Sequence, residues 1–239
     1  MVKDKVVIVT GASRGVGKAI TIKLIKLGYK VIGVYYSHDD LASELEKQYL
    51  NLTMIKGDVA DENFVLKIIK MAHKKYQKID AVINNVGIDL YGKVEEYKTE
   101  SWNKMINTNL KSVFLFSKYS IPLLKKSDNP VIINISSRIG FPDYCEPKFI
   151  VYGTTKAAIN YFTVALAKEL EETKIRVNAI IPTPTKTDLF DEVFTKKDED
   201  FLKNKGKLGQ PFEVAEMVTK LIYNKKANGK ILIDKRVNL

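Results

Sequence analysis

The sequence is poor in the side chains that build metal cages and disulfide bridges. Its 239 residues include one cysteine, Cys145, so an internal disulfide and a cysteine-based zinc site are excluded. The two histidines, His38 and His73, are too few for a histidine-rich metal site or a Ser-His-Asp triad, and no metal cofactor is expected. Apolar runs stay far below the roughly 20 residues of a membrane helix, and the first residues lack a signal-peptide layout. We therefore expect a cytoplasmic protein without membrane contact.

Acidic residues are also in the minority. The chain has 39 Lys and Arg against 28 Asp and Glu, a formal net charge of +11, and the lysines are spread over nearly every polar stretch. No zinc-finger pattern, RNP motif or aromatic-interleaved basic tract accompanies this charge, so no nucleic-acid partner is expected. A solvated, lysine-rich surface is favoured, while attraction to anionic small molecules or to an acidic partner stays open.

Short runs rich in β-branched residues alternate with longer amphipathic stretches along the chain. Strands are predicted at 6–10, 30–36, 52–57, 80–85, 130–136, 175–181 and 230–234. Helices are predicted at about 15–27, 39–50, 61–77, 101–126, 149–173 and 211–223. The strands are continuous apolar runs, which is typical of sheets covered on both faces. The pattern predicts an α/β fold: a doubly wound, seven-stranded parallel sheet with helices on both faces.

One segment stands apart from this alternation. No linker, internal repeat or low-complexity stretch divides the chain, so a single domain over residues 1–239 is predicted. Residues 183–210 carry Pro184, mixed charge, Gly206 and Gly209, and show no clear periodicity. Long irregular segments in compact domains are often active-site lids, and we predict a mobile substrate lid there.

The first predicted strand runs directly into the sequence TGASRGVG. This places Gly11, Gly15 and Gly17 around a strand-to-helix turn. Glycines allow a tight turn and let a pyrophosphate approach the N–H groups at the start of the helix. The spacing differs from the general G-x-G-x-x-G fingerprint, and a plain turn is the alternative. Its position at the first strand–helix junction favours dinucleotide binding, and hence a Rossmann fold.

Two further loops follow predicted strands. NNVG at 84–87 comes after the fourth strand, where asparagine side chains can brace the loop while Gly87 lets a ribose come close; an Asx-rich turn is the alternative. Asp58, after the third strand, could accept a hydrogen bond from an adenine amino group. It could equally cap the next helix, although Asp61 is better placed for that role.

The strongest signal joins a strand-end serine to a tyrosine and a lysine. Ser137 ends the fifth predicted strand, and YGTTK places Tyr152 and Lys156 four residues apart on one helix face. An ammonium beside a phenol favours the phenolate and lowers the tyrosine pKa, which creates a proton donor usable near neutral pH. Ser137 can hydrogen-bond the substrate oxygen. Tyr-x-x-x-Lys alone is common on helix surfaces, and its weight here comes from the order of all these motifs.

Together with NTNL at 107–110, INISS at 133–137 and IIPTPTKTDL at 180–189, these motifs resemble the short-chain dehydrogenase/reductase family, in its single-domain form, over about residues 4–234. The resemblance implies a catalytic tetrad of Asn109, Ser137, Tyr152 and Lys156. Tyr152 would exchange the proton, Ser137 would hold the substrate oxygen, and Lys156 would lower the tyrosine pKa and bind the nicotinamide ribose. Asn109 would keep a water in a proton relay. The implied cofactor-binding residues are Gly11, Ser13, Arg14, Gly15, Val16, Gly17, Tyr36, Ser37, Asp58, Val59, Asn85, Val86, Gly87, Tyr152, Lys156, Pro182, Thr185 and Thr187.

Three departures from the family pattern concern the site and its surroundings. Thr183 stands where the family usually has a glycine after the sixth strand, so the backbone beside the nicotinamide is expected to differ. The stretch between Ser137 and Tyr152 is about two residues longer than the pattern predicts and is expected to line the substrate pocket. Residues 234–236 read Asp-Lys-Arg where Asp-Gly-Gly is usual, which bears on subunit packing.

The resemblance implies an NADP(H)-dependent oxidoreductase that acts on a carbonyl/alcohol pair, with 3-oxoacyl-[acyl-carrier-protein] reductases as the nearest type. A short-chain reductase of another small ketone, sugar or secondary metabolite is the alternative. A non-catalytic dinucleotide-binding regulatory protein is the alternative from a different class, although all four tetrad residues are kept. Lys125, Lys126 and Lys174 could dock an acidic carrier protein or could be solvated helix ends.

NADP(H) is expected in preference to NAD(H). No carboxylate stands at the end of the second predicted strand, where an NAD-selective acid would sit. Asp39 and Asp40 come later, at the start of the next helix. Arg14 can reach the same region, and its guanidinium matches the geometry of a 2′-phosphate, to which Ser37 could add a hydrogen bond.

A homotetramer or homodimer is also implied by the resemblance. The predicted helices at 101–126 and 149–173 carry consecutive apolar residues, among them Val113 to Phe116 and Tyr161 with Phe162 and Val164. One sheet face cannot cover all of them, which favours a subunit interface. Burial inside the monomer is the alternative explanation.

Overall fold

Seven parallel strands form one sheet in the order β3-β2-β1-β4-β5-β6-β7. The structure is a computed structural model that describes residues 5–237, and of residue 193 only the backbone. Residues 1–4 and 238–239, at the ends of the predicted domain, lie outside the described residues. The strands are β1 (Val6–Thr10), β2 (Lys30–Tyr35), β3 (Leu52–Lys56), β4 (Ala81–Asn84), β5 (Val131–Ile135), β6 (Arg176–Ile181) and β7 (Ile231–Ile233). The predicted seven-stranded parallel sheet is confirmed, and each strand ends within a residue of its predicted bounds.

Helices cover both faces of the sheet. They are α1 (Gly15–Lys26), α2 (Asp39–Gln48), α3 (Glu62–Tyr76), α4 (Thr99–Ile106), α5 (Ser112–Leu124), α6 (Ile150–Glu169), α7 (Asp188–Val193), α8 (Lys196–Asn204) and α9 (Pro211–Tyr223). Alternate residues of β1 point to opposite faces: Val6 and Ile8 join the core formed with α3, α5 and α6, while Val7 and Val9 join the core formed with α1, α2 and α9. The doubly wound arrangement is therefore confirmed.

The helix predicted over 101–126 is interrupted. A π-helical turn, Asn107–Lys111, separates α4 from α5, and Asn109 within it is fully buried. The turn adds one residue to the helical repeat and α5 follows it directly, so the sequence pattern predicts one continuous helix. Single π turns inside α-helices occur frequently at functional sites.

Residues 183–210 hold two short helices where the sequence predicts an irregular segment. The Thr187 side chain caps α7 by accepting a hydrogen bond from the amide of Phe190, at 3.2 Å. Thr195 and Asp198 form a capping box at the start of α8. Such caps satisfy the free amides of a helix start, which allows short helices to form in a strongly charged stretch. Among residues 5–237, no helix is both long enough and apolar enough to cross a membrane.

Candidate active site

A cavity of about 540 Å³ opens at the carboxyl ends of β1, β4, β5 and β6. The strand order reverses between β1 and β4, and ligands of open α/β sheets bind in the crevice at such a switch point. The volume lies in the usual range of small-molecule sites. The lining includes these residues predicted from the sequence: Gly11, Ser13, Arg14, Gly15, Val16, Gly17, Tyr36, Ser37, Asp58, Val59, Asn85, Val86, Gly87, Ser137, Tyr152, Lys156, Pro182, Thr185 and Thr187.

The glycine turn brings the start of α1 to the cavity. Gly11 and Gly15 have φ angles of +69° and +52°, in the left-handed region that favours glycine. A side chain at Gly17 would collide with the carbonyl oxygen of Gly11, so the helix packs directly on the turn. No side chain caps α1 and its first turn contains no acid, which leaves the amides at its start available to an anion.

The loop after β4 is fixed to the end of β1 by Thr10, which sequence reasoning missed. The Thr10 hydroxyl oxygen accepts hydrogen bonds from the amides of Asn85 and Val86, at 3.0 and 3.1 Å. The Asn85 side chain donates to the Thr10 carbonyl oxygen at 2.9 Å. Asn84 instead points into the core, where it donates to Asn134 of β5 at 2.8 Å. Of the two asparagines, Asn85 therefore braces the loop and Asn84 joins two strands.

Asn109 lies behind the cavity wall. Its side-chain oxygen accepts from the amide of Ile88 at 2.8 Å, and its amide group donates to the Ile88 carbonyl oxygen at 2.9 Å. A further bond to Thr155, at 3.3 Å, completes its partners. The side chain is fully buried and its hydrogen bonds go to Ile88 and Thr155, so its role in a proton relay stays a prediction. The side chain positions the loop that follows β4.

Ser137, Tyr152 and Lys156 meet on the cavity wall. The Ser137 and Tyr152 side chains line the same stretch of the cavity, close enough for the serine hydroxyl to influence the phenol. The Lys156 ammonium lies 5.4 Å from the centroid of the Tyr152 ring, as their spacing on α6 dictates. It also donates to the carbonyl oxygen of Ile135, the last residue of β5, at 2.9 Å. A proton donor, a second hydroxyl and a cation therefore face one space.

The pKa of Tyr152 is raised, opposite to the direction expected from Lys156. Burial is the main cause of the raised pKa, the charge of Asp89 adds to it, and the nearby Ser137 hydroxyl acts in the other direction. Burial also lowers the pKa of Lys156 to about 8, against the attraction of Asp89. At pH 7 the site of the protein alone therefore holds a neutral phenol beside an ammonium group.

Asp89 is a site residue that sequence reasoning missed. It follows the NNVG loop by two residues and lines the same cavity as Tyr152 and Lys156. Burial raises the pKa of its carboxyl to about 6, with Lys156 opposing the shift. Its Oδ1 atom is buried and has no hydrogen-bond partner among the described residues. Its position directly after the loop that follows β4 was the available signal, because the carboxyl ends of parallel strands border the crevice.

The acids near the far end of the cavity are occupied. Asp39 accepts hydrogen bonds from the Tyr35 hydroxyl, at 3.1 Å, and from Lys56. Asp61 caps α3 by accepting from the amide of Asn63, as the sequence predicts, whereas Asp58 accepts from the amide of Ala60 at 2.8 Å. Asp58 is therefore not the cap of this helix.

Arg14 faces carboxylates of α7 across the cavity mouth. Its guanidinium lies 3.5 Å from Asp188 and 3.7 Å from Glu192, in two largely exposed ion pairs. Nearby, the Ser37 hydroxyl is hydrogen-bonded to the His38 ring at 2.9 Å. Both groups predicted to contact a 2′-phosphate thus border the cavity, with exchangeable partners of their own.

Thr183 is accommodated in place of the usual glycine. Its side chain is buried against Gly209, where an added Cβ would collide with the Thr183 hydroxyl. The Thr185 hydroxyl donates to the Thr183 carbonyl oxygen at 2.8 Å. At the C-terminal departure, Arg236 pairs with Asp234 and Glu213, at 2.8 and 2.9 Å. The Thr183 side chain is therefore accommodated by packing against Gly209, although its buried hydroxyl has no hydrogen-bond partner among residues 5–237, whereas Arg236 has two carboxylate partners.

The lysines considered for docking lie at the amino ends of the strands, opposite the cavity. Ser127, directly after Lys125 and Lys126, donates to Asp80, which immediately precedes β4. Lys174 stands shortly before β6, at the same amino edge. A strand of this length spans about 15–20 Å, which separates these lysines from the cavity. Solvated helix ends are the better interpretation.

Known proteins resemble the chain over most of its length. The family model described as short chain dehydrogenase matches residues 5–198. The chain belongs to the short-chain dehydrogenase family. It is 33% identical over 221 residues to the 3-oxoacyl-[acyl-carrier-protein] reductase FabG of Thermotoga maritima, a match that covers 90% of this chain and 89% of that relative.

Solved structures of short-chain dehydrogenase type superpose closely on this family member. ElxO with NADP bound has a TM-score of 0.86 and 31% identity, with 96% of each chain covered. The aldohexose dehydrogenase of Thermoplasma acidophilum, in ligand-free form, has a TM-score of 0.85 and 29% identity, with 97% of this chain and 92% of that chain covered. The Rossmann-type fold and the oxidoreductase class follow from this membership.

Proposed function

We propose that the protein is an NADP(H)-dependent reductase of a ketone, acting on a carbonyl/alcohol pair. The observation that carries the proposal is the meeting of Ser137, Tyr152 and Lys156 on the wall of the cavity that begins at the glycine turn. A reduction needs a proton donor at the carbonyl oxygen and a hydride donor beside the carbonyl carbon. The three side chains are suited to the first task, and a nicotinamide would supply the hydride when bound.

The glycine turn and the loop after β4 are suited to hold a dinucleotide. The uncapped start of α1 offers amides and a favourable dipole to a pyrophosphate. Gly87 leaves open space toward Lys156, whose Nζ atom would be 3.6 Å from an added Cβ. A ribose there would be in reach of the ammonium group. ElxO has been solved with NADP bound, which supports the same use of this fold.

In the proposed mechanism Tyr152 gives its hydroxyl proton to the carbonyl oxygen as the carbon accepts the hydride. The raised pKa keeps the phenol protonated until that step. Ser137 donates a hydrogen bond to the same oxygen, and Lys156, an ammonium group at pH 7, stabilises the phenolate that remains. Asn109 is a positioning residue, since it holds Ile88 and with it the loop that borders the reacting groups.

A preference for NADP(H) is supported by the surroundings of the far end of the cavity. Arg14, Tyr36 and Ser37 line it, and the nearest acid after β2, Asp39, is paired with Lys56 and Tyr35. An acid so engaged is poorly placed to accept from a ribose 2′-hydroxyl. A guanidinium and a hydroxyl suit a 2′-phosphate.

Residues 183–210 are proposed to close over the substrate. Phe190 and Phe194 line the cavity, and their rings stack with centroids 4.6 Å apart. Lys186 ties the segment together through pairs with Asp191 and Glu199. An apolar lid of this kind would exclude water during proton and hydride transfer.

Two substrate classes follow from the relatives. The Thermotoga relative is a reductase of 3-oxoacyl thioesters, which makes a ketoreductase of that type the first candidate. The Thermoplasma neighbour is an aldohexose dehydrogenase, which keeps hydroxylated carbonyl compounds as the second. The sequence identities to these two proteins, 33% and 29%, support the same reaction class. They do not decide between the two substrate classes.

The test is a screen for consumption of NADPH over simple ketones, hydroxyketones and 3-oxoacyl thioesters. We expect Tyr152→Phe to lower kcat by about 10²–10⁴-fold, because general acid catalysis contributes that much, while the Kd for NADPH stays within a few fold. Lys156→Ala should impair both turnover and NADPH binding, because the ammonium group serves both. Near wild-type rates for Tyr152→Phe on a confirmed substrate would contradict the assignment.

A further inference from the structure

We propose that Asp89 is a substrate-recognition carboxylate, which selects carbonyl compounds that carry a hydroxyl group next to the carbonyl. The inference rests on the proposed reductase function and names the substrate class of the same site. It assigns a specificity-determining role to a residue outside the catalytic group.

The first support is the fixed position of Asp89. The preceding residue, Ile88, is held through both its amide and its carbonyl oxygen by Asn109. Asp89 therefore stands on a fixed part of the loop and lines the cavity together with Ser137 and Tyr152. It is near enough for its charge to act on both Tyr152 and Lys156. A substrate whose carbonyl oxygen meets Tyr152 would have its neighbouring carbon in reach of Asp89.

The second support is the unused hydrogen-bonding capacity of the carboxylate. Buried polar atoms are nearly always hydrogen-bonded, yet Oδ1 of Asp89 has no partner among residues 5–237. The nearby cation does not fill this role: Lys156 donates to the Ile135 carbonyl oxygen, and no hydrogen bond joins it to Oδ1 of Asp89. The residue as a whole is only partly buried and lines the cavity, so a ligand that donates to the carboxylate would supply the partner that the protein does not.

The chemistry of the acceptor selects the ligand group. An ionised carboxylate only accepts hydrogen bonds, so the partner must be a donor. A cationic group is disfavoured because the Lys156 ammonium lies in the same site. A plain acyl chain would cover the carboxylate without pairing it, and sites built for a hydroxyl reject analogues that lack one. A hydroxyl beside the carbonyl satisfies all three conditions.

The experiment compares three ketones of nearly equal size: 2-butanone, 3-hydroxy-2-butanone and 4-hydroxy-2-butanone. We measure kcat/KM with NADPH for the unmutated protein, Asp89→Ala and Asp89→Asn. In the unmutated protein 3-hydroxy-2-butanone should be preferred. Asp89→Ala should lower the ratio of kcat/KM for 3-hydroxy-2-butanone over 2-butanone by about 10- to 100-fold, the effect of losing a hydrogen bond to a charged group. Asp89→Asn, which keeps an acceptor oxygen, should lower it less.

The control removes a different carboxylate from the same cavity. Glu146 lines the cavity but is paired with Arg138 at 3.4 Å, so Glu146→Gln should leave the ratio unchanged. A purely electrostatic effect of Asp89 on Tyr152 would change the rates with all three ketones together and leave the ratio unchanged. Binding of NADPH to each variant checks that it is folded.

The two proposals fail in different ways. Turnover of the ketones with no preference for the adjacent hydroxyl, or an unchanged ratio in Asp89→Ala, would overturn the role of Asp89 and leave the reductase function standing. Binding of NADPH without turnover of any ketone or thioester would overturn the reductase function, and the role of Asp89 with it.

Discussion

Arg14 has two competing sets of partners. Its guanidinium is paired with acids of α7, and it borders the part of the cavity assigned to a 2′-phosphate. A doubly charged phosphate is the stronger partner, because surface carboxylate pairs contribute little. We therefore expect Arg14→Ala to weaken NADPH binding by about 10- to 100-fold and NADH binding by less than about threefold, as measured by calorimetry.

Lys18→Ala provides the control for Arg14→Ala. Lys18 stands in the first turn of the same helix and carries the same charge, so its removal isolates the effect of net charge from that of direct contact. Equal losses of NADPH and NADH affinity in Arg14→Ala would contradict the 2′-phosphate assignment. Equal affinities in the unmutated protein would do so as well, and would point to Asp39 or Asp40 at the ribose.

The Asp89 carboxyl should destabilise the protein at neutral pH. Its pKa is 3.8 ordinarily and about 6 in the folded protein. Between these values the folded state keeps a proton that the unfolded state has lost, so stability falls as the pH rises through this window. We expect Asp89→Asn to raise the free energy of unfolding by about 1–2 kcal/mol at pH 7, after allowance for partial exposure, and by almost nothing near pH 4.

Urea unfolding of the two proteins across this pH range measures the effect. Asp143→Asn, in an exposed loop beside the cavity, is the control and should change little at any pH. A loss of stability in Asp89→Asn at pH 7 would mean that the carboxylate makes favourable interactions within the protein. A gain is typical of groups kept for function rather than for folding.

The sequence reveals residues whose role depends on spacing, and it misses those whose role depends on surroundings. Ser137, Tyr152 and Lys156 are found because strand end and helix period bring them together. Asp89 is an ordinary loop acid until burial is known. The predicted direction of the Tyr152 pKa shift is wrong for the same reason. The sequence shows that Lys156 is close to Tyr152, but it does not show that the tyrosine is buried.

At the level of whole elements, segments of regular period are predicted well and interruptions are not. The strand bounds agree because each strand is a short apolar run between turn signals. The π turn at 107–111 adds one residue to the helical repeat, and this small shift was not recognised in a segment predicted as one continuous helix over 101–126. In 183–210, α8 could have been predicted from Thr195 and Asp198, which have the spacing of a capping box.

The α7 helix should compete with the cofactor for Arg14. Asp188 and Glu192 both pair with it, at 3.5 and 3.7 Å. We expect the double substitution Asp188→Asn with Glu192→Gln to tighten NADPH binding by about two- to fivefold, the value of exposed ion pairs, and to leave NADH binding unchanged. Asp200→Asn, in the neighbouring α8 and paired with Lys196, is the control. Weaker NADPH binding in the double variant would show that these acids support the cofactor site.

For the molecule as a whole, we expect a dimer or tetramer that uses α5 and α6. Most of the apolar run considered for an interface is buried within the monomer: Val113, Leu115 and Phe116 are each at most 2% exposed. Phe114, Tyr161 and Val164 remain, at 46%, 79% and 46% exposed. The monomer therefore explains part of the pattern, and the remaining exposed side chains support a smaller interface than the sequence alone predicts.

Light scattering at micromolar concentration measures the oligomeric state. The double substitution Phe114→Glu with Tyr161→Glu should shift the mass toward the monomer, because charges at the centre of an apolar interface lose their hydration on association. Leu50→Glu, at a fully exposed leucine in the turn before β3, should leave the mass unchanged. A monomeric mass of the unmutated protein would overturn the expectation.

The sheet topology also decides from which side a partner can reach the cavity. All strands run parallel, so the loops that border the cavity share one edge, and Lys125, Lys126 and Lys174 lie at the other. Fold type was predictable because apolar runs alternate with helices. The distribution of positive charge over the two edges was not, since it depends on the direction in which each element runs.

Cys145, the single thiol of the chain, is a ready-made optical reporter. It is exposed, and it lies in the loop between Ser137 and Tyr152, directly before Glu146 of the cavity lining. A fluorophore attached there would sense the polarity of the cavity mouth without any substitution in the protein. With a second dye on a cysteine introduced in α8, energy transfer between the two labels would test whether the proposed lid closes as cofactor and ketone are added.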